Sequence, residues 1–334
     1  MTTPARSHRP DHHSPATGTH VLDAADRTAV GAIAERLAAD GGEISSAEWL
    51  DRVRDAALAL PVGLRRSLRA LQRHSGAAGS LLVRGLPIGD AAALPPTPAV
   101  GGSAQHTPTP PSAALMLAVL ALGEPVAFRA EKKGLLVHDV VPVPGSEEMQ
   151  GNEGSVDLEF HVENAFHPHR PDHVLLLCLR SDHEGTAGLR LACARRALPL
   201  LDDRVREALA RPEFVTAPPP SFGGVGDETQ PHAVLGGDPD DPDVVVDFGV
   251  TRAVTAEGEA ALPALHGALA ATSRTLVLRP GDLAIVDNRV TLHGRTAFRP
   301  RYDGRDRWLQ RAFAVSDLRR SRDHRPADGH VLVR

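Results

Sequence analysis

The sequence predicts a mainly β protein with flanking helices (α+β), built on a double-sheet jelly roll. Three observations predict it. From Val126 onward, short apolar runs recur between turns marked by Gly and Pro, the pattern of a sandwich or barrel of many short strands. Before that point, apolar residues fall mostly at helical spacing. The chain has 334 residues, enough for one all-β domain of roughly 200–250 residues with helical additions.

Residues 1–20, MTTPARSHRPDHHSPATGTH, are polar and rich in Pro and His; they read as a disordered tail in which His12 and His13 are solvated. Leu22, Val30, Ile33, Ala34 and Leu37 predict a helix over 22–39. Ser45 and Ser46 are candidate N-caps of a second helix, and Leu64 to His74 forms a third. The run GSLLVRGLPIG, bounded by Gly79 and Gly89, reads as a strand. Residues 91–112, rich in Pro, Ala, Thr and Gly, read as a loop, followed by a buried helix in SAALMLAVLALGE.

The β region then follows in GLLVHDVVPVPG, VDLEFHVE, DHVLLLCLRS, GLRLACAR, DVVVDFG, RTLVLRPGDLAIVDN and RWLQRAFAVSD, interrupted by one helix from Gly258 to Ser273. Residues 217–243 show no apolar period, and so long a loop inside a compact domain reads as a lid. The expected organisation is a single domain over 21–320 with a C-terminal tail over 321–334.

Composition excludes several classes. Apolar residues make up 42% and aromatics only 3%, so the core rests on Leu, Val and Ala, and base-stacking platforms are not expected. The formal net charge is -5 with basic residues dispersed, which argues against nucleic acid as a partner. Cys178 and Cys193 both lie in apolar surroundings and are expected buried and reduced, as in a cytoplasmic protein. No apolar run reaches the ~18–20 residues that span a bilayer, and the polar N-terminus has no apolar h-region. The expected partner is a small molecule, and the expected state a monomer or homodimer.

The chemistry concentrates in two segments. In LEFHVEN, His161 and Glu163 are two residues apart and share one face of an extended chain, so an imidazole and a carboxylate can reach one metal. His293 follows the apolar run LAIVD and a turn at Asp287–Asn288, where it can supply a third ligand. A His-x-carboxylate pair with a distant His is the facial triad of non-heme iron. With 17 histidines in the chain, the pair alone is weak. His167 and His169 flank Pro168 without a cysteine cluster and read as structural or surface residues.

The basic residues downstream strengthen the triad. Arg307 lies fourteen residues after His293, with Arg311 four further on. In a strand, Arg307, Leu309 and Arg311 share a face. A buried arginine needs an anion, and its planar guanidinium suits a carboxylate such as C5 of 2-oxoglutarate. The alternative is a surface ion pair with Asp303, Asp306 or Asp317.

The segments FHVENAFHPHRPDHVLLLCLRSDHEGTAGLRLACARRALPLL and PGDLAIVDNRVTLHGRTAFRPRYDGRDRWLQRAF resemble the clavaminate synthase-like Fe(II)/2-oxoglutarate-dependent oxygenases. The resemblance covers roughly residues 75–320. It is greatest to the branch that hydroxylates free amino acids, which includes arginine, lysine, asparagine and enduracididine hydroxylases. It implies a double-stranded β-helix, with His161, Glu163 and His293 as iron ligands and Arg307 as the anchor of 2-oxoglutarate, helped by Thr186. It implies Arg311 as the partner of the substrate carboxylate, and Glu163 as a contact to the substrate amino group. Gln150, Gly151 and Asn152 match a segment that lines the substrate pocket. The arginine hydroxylases grip the guanidinium with two acids two residues apart. Here VVVDFGV offers Asp247, while the place two residues earlier is Val245.

The implied reaction is hydroxylation at Cβ or Cγ of a free, basic L-amino acid (arginine, lysine or a cyclised arginine) in natural-product biosynthesis. O2 is consumed and 2-oxoglutarate is decarboxylated to succinate. The carboxylate ligand argues against halogenation. Three readings stay open beside it. One is desaturation or ring closure, and another is a carrier-bound or different small acid. The third is a non-catalytic cupin-like metal protein, which leaves Arg307 without a purpose. Asp247 as a plain strand residue also stays open.

Overall fold

The computed structural model describes residues 18–219, 222 and 228–333. The chain opens with strand β1 (Thr19–Val21), then helices α1 (Ala24–Ala39), α2 (Ala47–Ala57) and α3 (Val62–Arg73). Ser46 is the N-cap of α2, its hydroxyl accepting from the Trp49 N–H. Next come β2 (Ser80–Arg84), β3 (Ala104–Gln105), α4 (Pro110–Leu122), β4 (Glu124–Phe128), β5 (Val137–Val140), β6 (Leu158–His161), β7 (His173–Arg180) and β8 (Gly188–Cys193). The helices α5 (Ala194–Ala197) and α6 (Asp203–Leu209) lead to short strands β9 (Phe214–Thr216), β10 (Leu235–Gly236), β11 (Asp243–Val244) and β12 (Thr251–Ala253). The chain continues through α7 (Ala256–Thr272), β13 (Arg274–Val277), β14 (Leu283–Asp287), β15 (Thr291–Arg295), β16 (Trp308–Val315) and β17 (Val331–Leu332).

Two sheets position the site. A nine-stranded sheet runs β1-β2-β14-β7-β16-β4-β17, with β5 also paired to β16 and β3 to β5. A four-stranded sheet runs β13-β8-β15-β6. The two-residue period of the strands assigns their faces. Along β7, Leu175, Leu177 and Leu179 pack with α1 to α4, while Val174, Leu176 and Cys178 pack with Leu189 and Leu191 of the smaller sheet. On the far side of that smaller sheet, Phe160, Ala192 and Leu292 pack against Leu265 and Leu269 of α7. The fold is therefore mainly β, with helices covering the outer face of each sheet. Both cysteines are free and buried, as expected.

Helix α4 begins inside the stretch 91–112 expected as a loop. Pro110 and Pro111 occupy its first positions, and Thr109 with Ser112 forms a capping box. Proline at a helix start fills a place where no N–H is needed, so residues that signal a loop here open a helix. Trp49 of α2 is fully buried and donates its indole N–H to the Leu37 carbonyl at 3.1 Å. Trp49→Ala is expected to lower unfolding free energy by about 3–5 kcal/mol, read as a shift in the urea midpoint.

The expected termini change. Thr19 and His20, inside the predicted tail, pair in parallel with Leu82 and Val83, and Val21 continues the ladder to Arg84; residues 1–17 lie outside the described residues. Within 321–334, expected as a tail, Ser321 and Arg325 are buried and β17 pairs in parallel with β4. Both ends are held by edge pairing in strands too short to show a period. In the predicted lid, residues 220, 221 and 223–227 lie outside the described residues, whereas β10 and β11 pair with each other and His232 contacts Thr216 at 2.9 Å. Among the described residues, no helix is long and apolar enough to cross a membrane.

Candidate active site

The two histidines of the predicted triad come from neighbouring antiparallel strands. His293 on β15 lies directly opposite His161 on β6, with ring centroids 4.2 Å apart. The approach is close: a Cβ at Gly294 would meet the Leu158 carbonyl oxygen at 2.5 Å, so glycine follows His293. Glu163 lies two residues past His161, beyond the strand end. Its N–H donates to Asn288 Oδ1 at 2.8 Å, and its carbonyl accepts from Asn288 Nδ2 at 3.1 Å. Asn288, seen in the sequence only as a turn residue, thus fixes the backbone that carries Glu163.

Glu163 Oε2 stands 3.4 Å from His293 Nε2, and ligand atoms of His161, Glu163 and His293 all lie within 4.8 Å of one another. His161 Nδ1 donates to the Glu159 carbonyl at 2.9 Å, leaving Nε2 for a metal. Burial, with His161 alongside, pushes the His293 imidazole down to about 4. Burial acts to raise the Glu163 carboxyl, but the Arg311 guanidinium and His293 hold it well below the usual carboxylate range. Two imidazole nitrogens and one carboxylate oxygen fit a divalent iron with positions left over for small ligands.

A pH prediction follows for the metal-free protein. The ordinary histidine value of 6.5 and the folded value of about 4 for His293 mean that, between them, the unfolded chain binds a proton that the folded chain does not. Above 6.5 this group leaves stability unchanged. As pH falls through the window stability drops, and below about 4 the loss levels off. At ~1.4 kcal/mol per pH unit over this window, the full effect is at most roughly 3–4 kcal/mol. Urea midpoints of wild type and His293→Asn at pH 7 and pH 5 check this; equal pH dependence in both would contradict it.

Arg311 on β16 forms the wall opposite the triad. Its Nη1 donates to Glu163 Oε1 at 2.9 Å, and Nη2 pairs with Glu131. Nη2 also contacts His138 Nδ1 at 2.9 Å, and His138 Nε2 contacts the Leu135 carbonyl at 2.7 Å. The Asn152 amide oxygen accepts from Nη1 at 3.3 Å. All donors of this guanidinium except Nε are thereby engaged. Glu131 Oε2 is buried without a hydrogen-bond partner among the described residues, and burial raises this carboxyl.

Arg307, just before β16, is buried, and among the described residues no carboxylate comes within ion-pair distance of it. Its guanidinium lies 5.7 Å from the Phe298 ring centroid, within cation–π range. The expected surface alternatives are otherwise engaged. Asp306 accepts from the Arg301 N–H, Asp303 faces His183, and Asp317 accepts from the Arg319 N–H. A buried cation with no counter-ion is a place for an anion.

The profile described as Taurine catabolism dioxygenase TauD, TfdA family matches residues 48–313. The chain belongs to this family. The TauD/TfdA member in hand is 55% identical to the L-asparagine oxygenase of Streptomyces coelicolor over 312 residues, 93% of each chain. It is 35% identical to clavaminate synthase 2 of Streptomyces clavuligerus over 297 residues, 84% of this chain and 88% of that one. A solved structure of asparagine oxygenase with Fe(II), 2S,3S-3-hydroxyasparagine and succinate superposes with a TM-score of 0.93 at 54% identity, covering 95% of this chain and all of that one. The clavaminate synthase-like assignment holds, and the enzyme is a non-heme Fe(II)/2-oxoglutarate-dependent amino-acid hydroxylase.

Within this TauD/TfdA member the remaining predicted residues divide. Asn152 reaches the centre through Arg311. Gln150 is exposed and ties its loop to β6, donating to the Asp157 carbonyl at 2.8 Å and accepting from the Glu159 N–H at 3.1 Å. The Gly151 carbonyl accepts from Arg295 at 3.1 Å. Thr186 is exposed, and its hydroxyl and N–H both bond Asp182. Asp247 forms an isolated bridge with His161, and burial pushes its carboxyl up. It also accepts from the Gly249 N–H at 2.8 Å, closing a turn rather than continuing a strand. His167 packs edge-on to Phe128 and accepts from the His169 N–H. Glu131 and His138, both at the Arg311 guanidinium, carry no sequence signal of a site role. Glu131 precedes a turn in which Lys132, Lys133 and Gly134 all have positive φ, and no local pattern marks it.

Proposed function

We propose that this enzyme hydroxylates Cβ of free L-asparagine while 2-oxoglutarate is decarboxylated to succinate, in cytoplasmic antibiotic biosynthesis. One observation carries the proposal: the 55% identity to an L-asparagine oxygenase over 93% of both chains. It replaces the basic amino acid expected from sequence. The pocket supports the change. Asp247 stands alone, because Val245, at the place of a second acid, packs into the apolar cluster under the smaller sheet. A guanidinium buried against one carboxylate leaves donors unmet, whereas a neutral amide needs fewer partners.

The two sheets read as a double-stranded β-helix enclosing the site. His161, Glu163 and His293 hold the iron, which when bound supplies the O2 chemistry at an unactivated carbon. Arg307 pairs with the C5 carboxylate of 2-oxoglutarate, with Thr186 at the edge of that subsite. Arg311 orients the substrate carboxylate, for which Nε is the donor its neighbours leave open. The free oxygen of Glu131 accepts from the substrate ammonium together with Glu163. Asp247 and the segment Gln150, Gly151 and Asn152 bound the side chain. These groups fix which carbon faces the metal.

Succinate release across free amino acids, with mass spectrometry of the product, tests the proposal. Asparagine should gain one oxygen. Release with arginine, lysine or a carrier-bound residue but not with free asparagine would overturn it. Asp247→Ala should raise KM for asparagine by roughly tenfold, the worth of one charged hydrogen bond, and leave the 2-oxoglutarate requirement unchanged.

A further inference from the structure

The outer side of α2, α3 and α4 carries a feature that hydroxylation does not use. Basic residues are not dispersed there. Arg65, Arg66, Arg69 and Arg73 are all exposed on α3 and line one groove of about 650 Å³. Its apolar lip is formed by Leu58 and Val62, 72% and 52% exposed, and its floor by Leu120 and Ala121 of α4. No acidic side chain lines it. Arg54 at one end is neutralised by Asp51 and Glu124. Among the described residues, none of the four α3 arginines has a carboxylate within ion-pair distance.

This stripe does not serve the helix that bears it. The arginines recur at three- and four-residue spacing, where like charges repel. The first turn of α3 has no acidic residue to offset the helix dipole. The whole chain carries a formal charge of -5, so the stripe is not a sample of general basicity. A groove with an apolar floor and a cationic rim accepts apolar side chains at helical spacing flanked by carboxylates. The absence of any aromatic residue along it removes the usual stacking surface for bases.

We propose that this groove docks an acidic amphipathic helix of a partner protein, its apolar stripe on the α4 floor and its carboxylates on the arginine rim. Helix α3 has 12 residues, about 18 Å at 1.5 Å per residue, and faces about three turns of such a helix. The groove lies on the helical side of the nine-stranded sheet, and none of its lining residues belongs to the iron site. The proposal does not rest on the identity of the substrate.

The test uses the full-length enzyme and a fluorescein-labelled, stapled 15-residue helix with leucines on one stripe and glutamates beside it. Fluorescence anisotropy should show saturable binding that weakens with salt and falls at least tenfold when the peptide glutamates become glutamine. The variant R66E/R69E/R73E should also lose at least tenfold in binding, while its melting curve by circular dichroism and its succinate release stay at wild-type values. Equal binding of the glutamine peptide would overturn the proposal. So would unchanged binding by the triple variant, or capture of phosphatidylglycerol vesicles or a 20-base-pair DNA duplex in place of the peptide.

Discussion

His161→Ala is expected to abolish iron-dependent succinate release. The side chain is one of the three, with Glu163 and His293, whose ligand atoms converge within 4.8 Å of one another, and its ring is aimed by the hydrogen bond from Nδ1 to the Glu159 carbonyl. Removing a partner that merely orients a ligand costs roughly 10–100-fold in metal affinity or activity, so loss of the ligand itself exceeds that. Iron affinity and turnover should fall together by more than about a hundredfold. His161 belongs to no apolar core cluster and its neighbours Phe160 and Val162 carry the packing, so the variant should remain folded, with an unchanged circular dichroism spectrum. Retained turnover in a folded, iron-loaded variant would exclude His161 as a ligand.

Arg307→Ala is expected to produce the second large effect, on the co-substrate. The guanidinium is buried beside Phe298 with no carboxylate partner among the described residues. Burial pulls its affinity for the proton down, so the protonated form costs free energy until an anion arrives. Truncating one partner of a buried charge pair costs about 2–5 kcal/mol, so the 2-oxoglutarate requirement should rise by roughly a hundredfold or more. Asparagine affinity, measured with saturating 2-oxoglutarate, should change far less. An unchanged 2-oxoglutarate requirement would exclude the anchoring role. Lysine at 307 should restore only part of the affinity, because an ammonium cannot pair with a carboxylate through two parallel bonds.

The residues of the candidate metal centre and candidate anion site stood out in the sequence because they lie on, or within two residues of, strands with clear periods. The alternation in LEFHVEN placed His161 opposite in sense to Phe160, and that in β16 put Leu309, Arg311 and Phe313 on one face. The substrate end had no period to mark it: the family resemblance pointed to Asn152 and Asp247, and nothing pointed to Glu131. Glu131, Asn152 and Asp247 come from three separate loops, each without a period, and only the folding of β5, β6 and β16 brings the first two around Arg311. The strands β1 and β17 escaped notice for a related reason: two or three residues at a sheet edge are too few to alternate. Helix α3 was read correctly as a helix, but its cationic face showed only once its leucines were seen to point inward.

The pairing of His293 with His161 across β15 and β6 makes the cofactor an arbiter of folding. A slip of one residue between those strands would turn one imidazole into the apolar layer under α7 and leave the other without its counterpart. If these three residues hold the iron, a misaligned chain would not assemble the ligand set, and only correctly zipped molecules would capture the metal. Iron supplied during refolding should then act as a proofreader, enriching the native alignment over its neighbours by mass action.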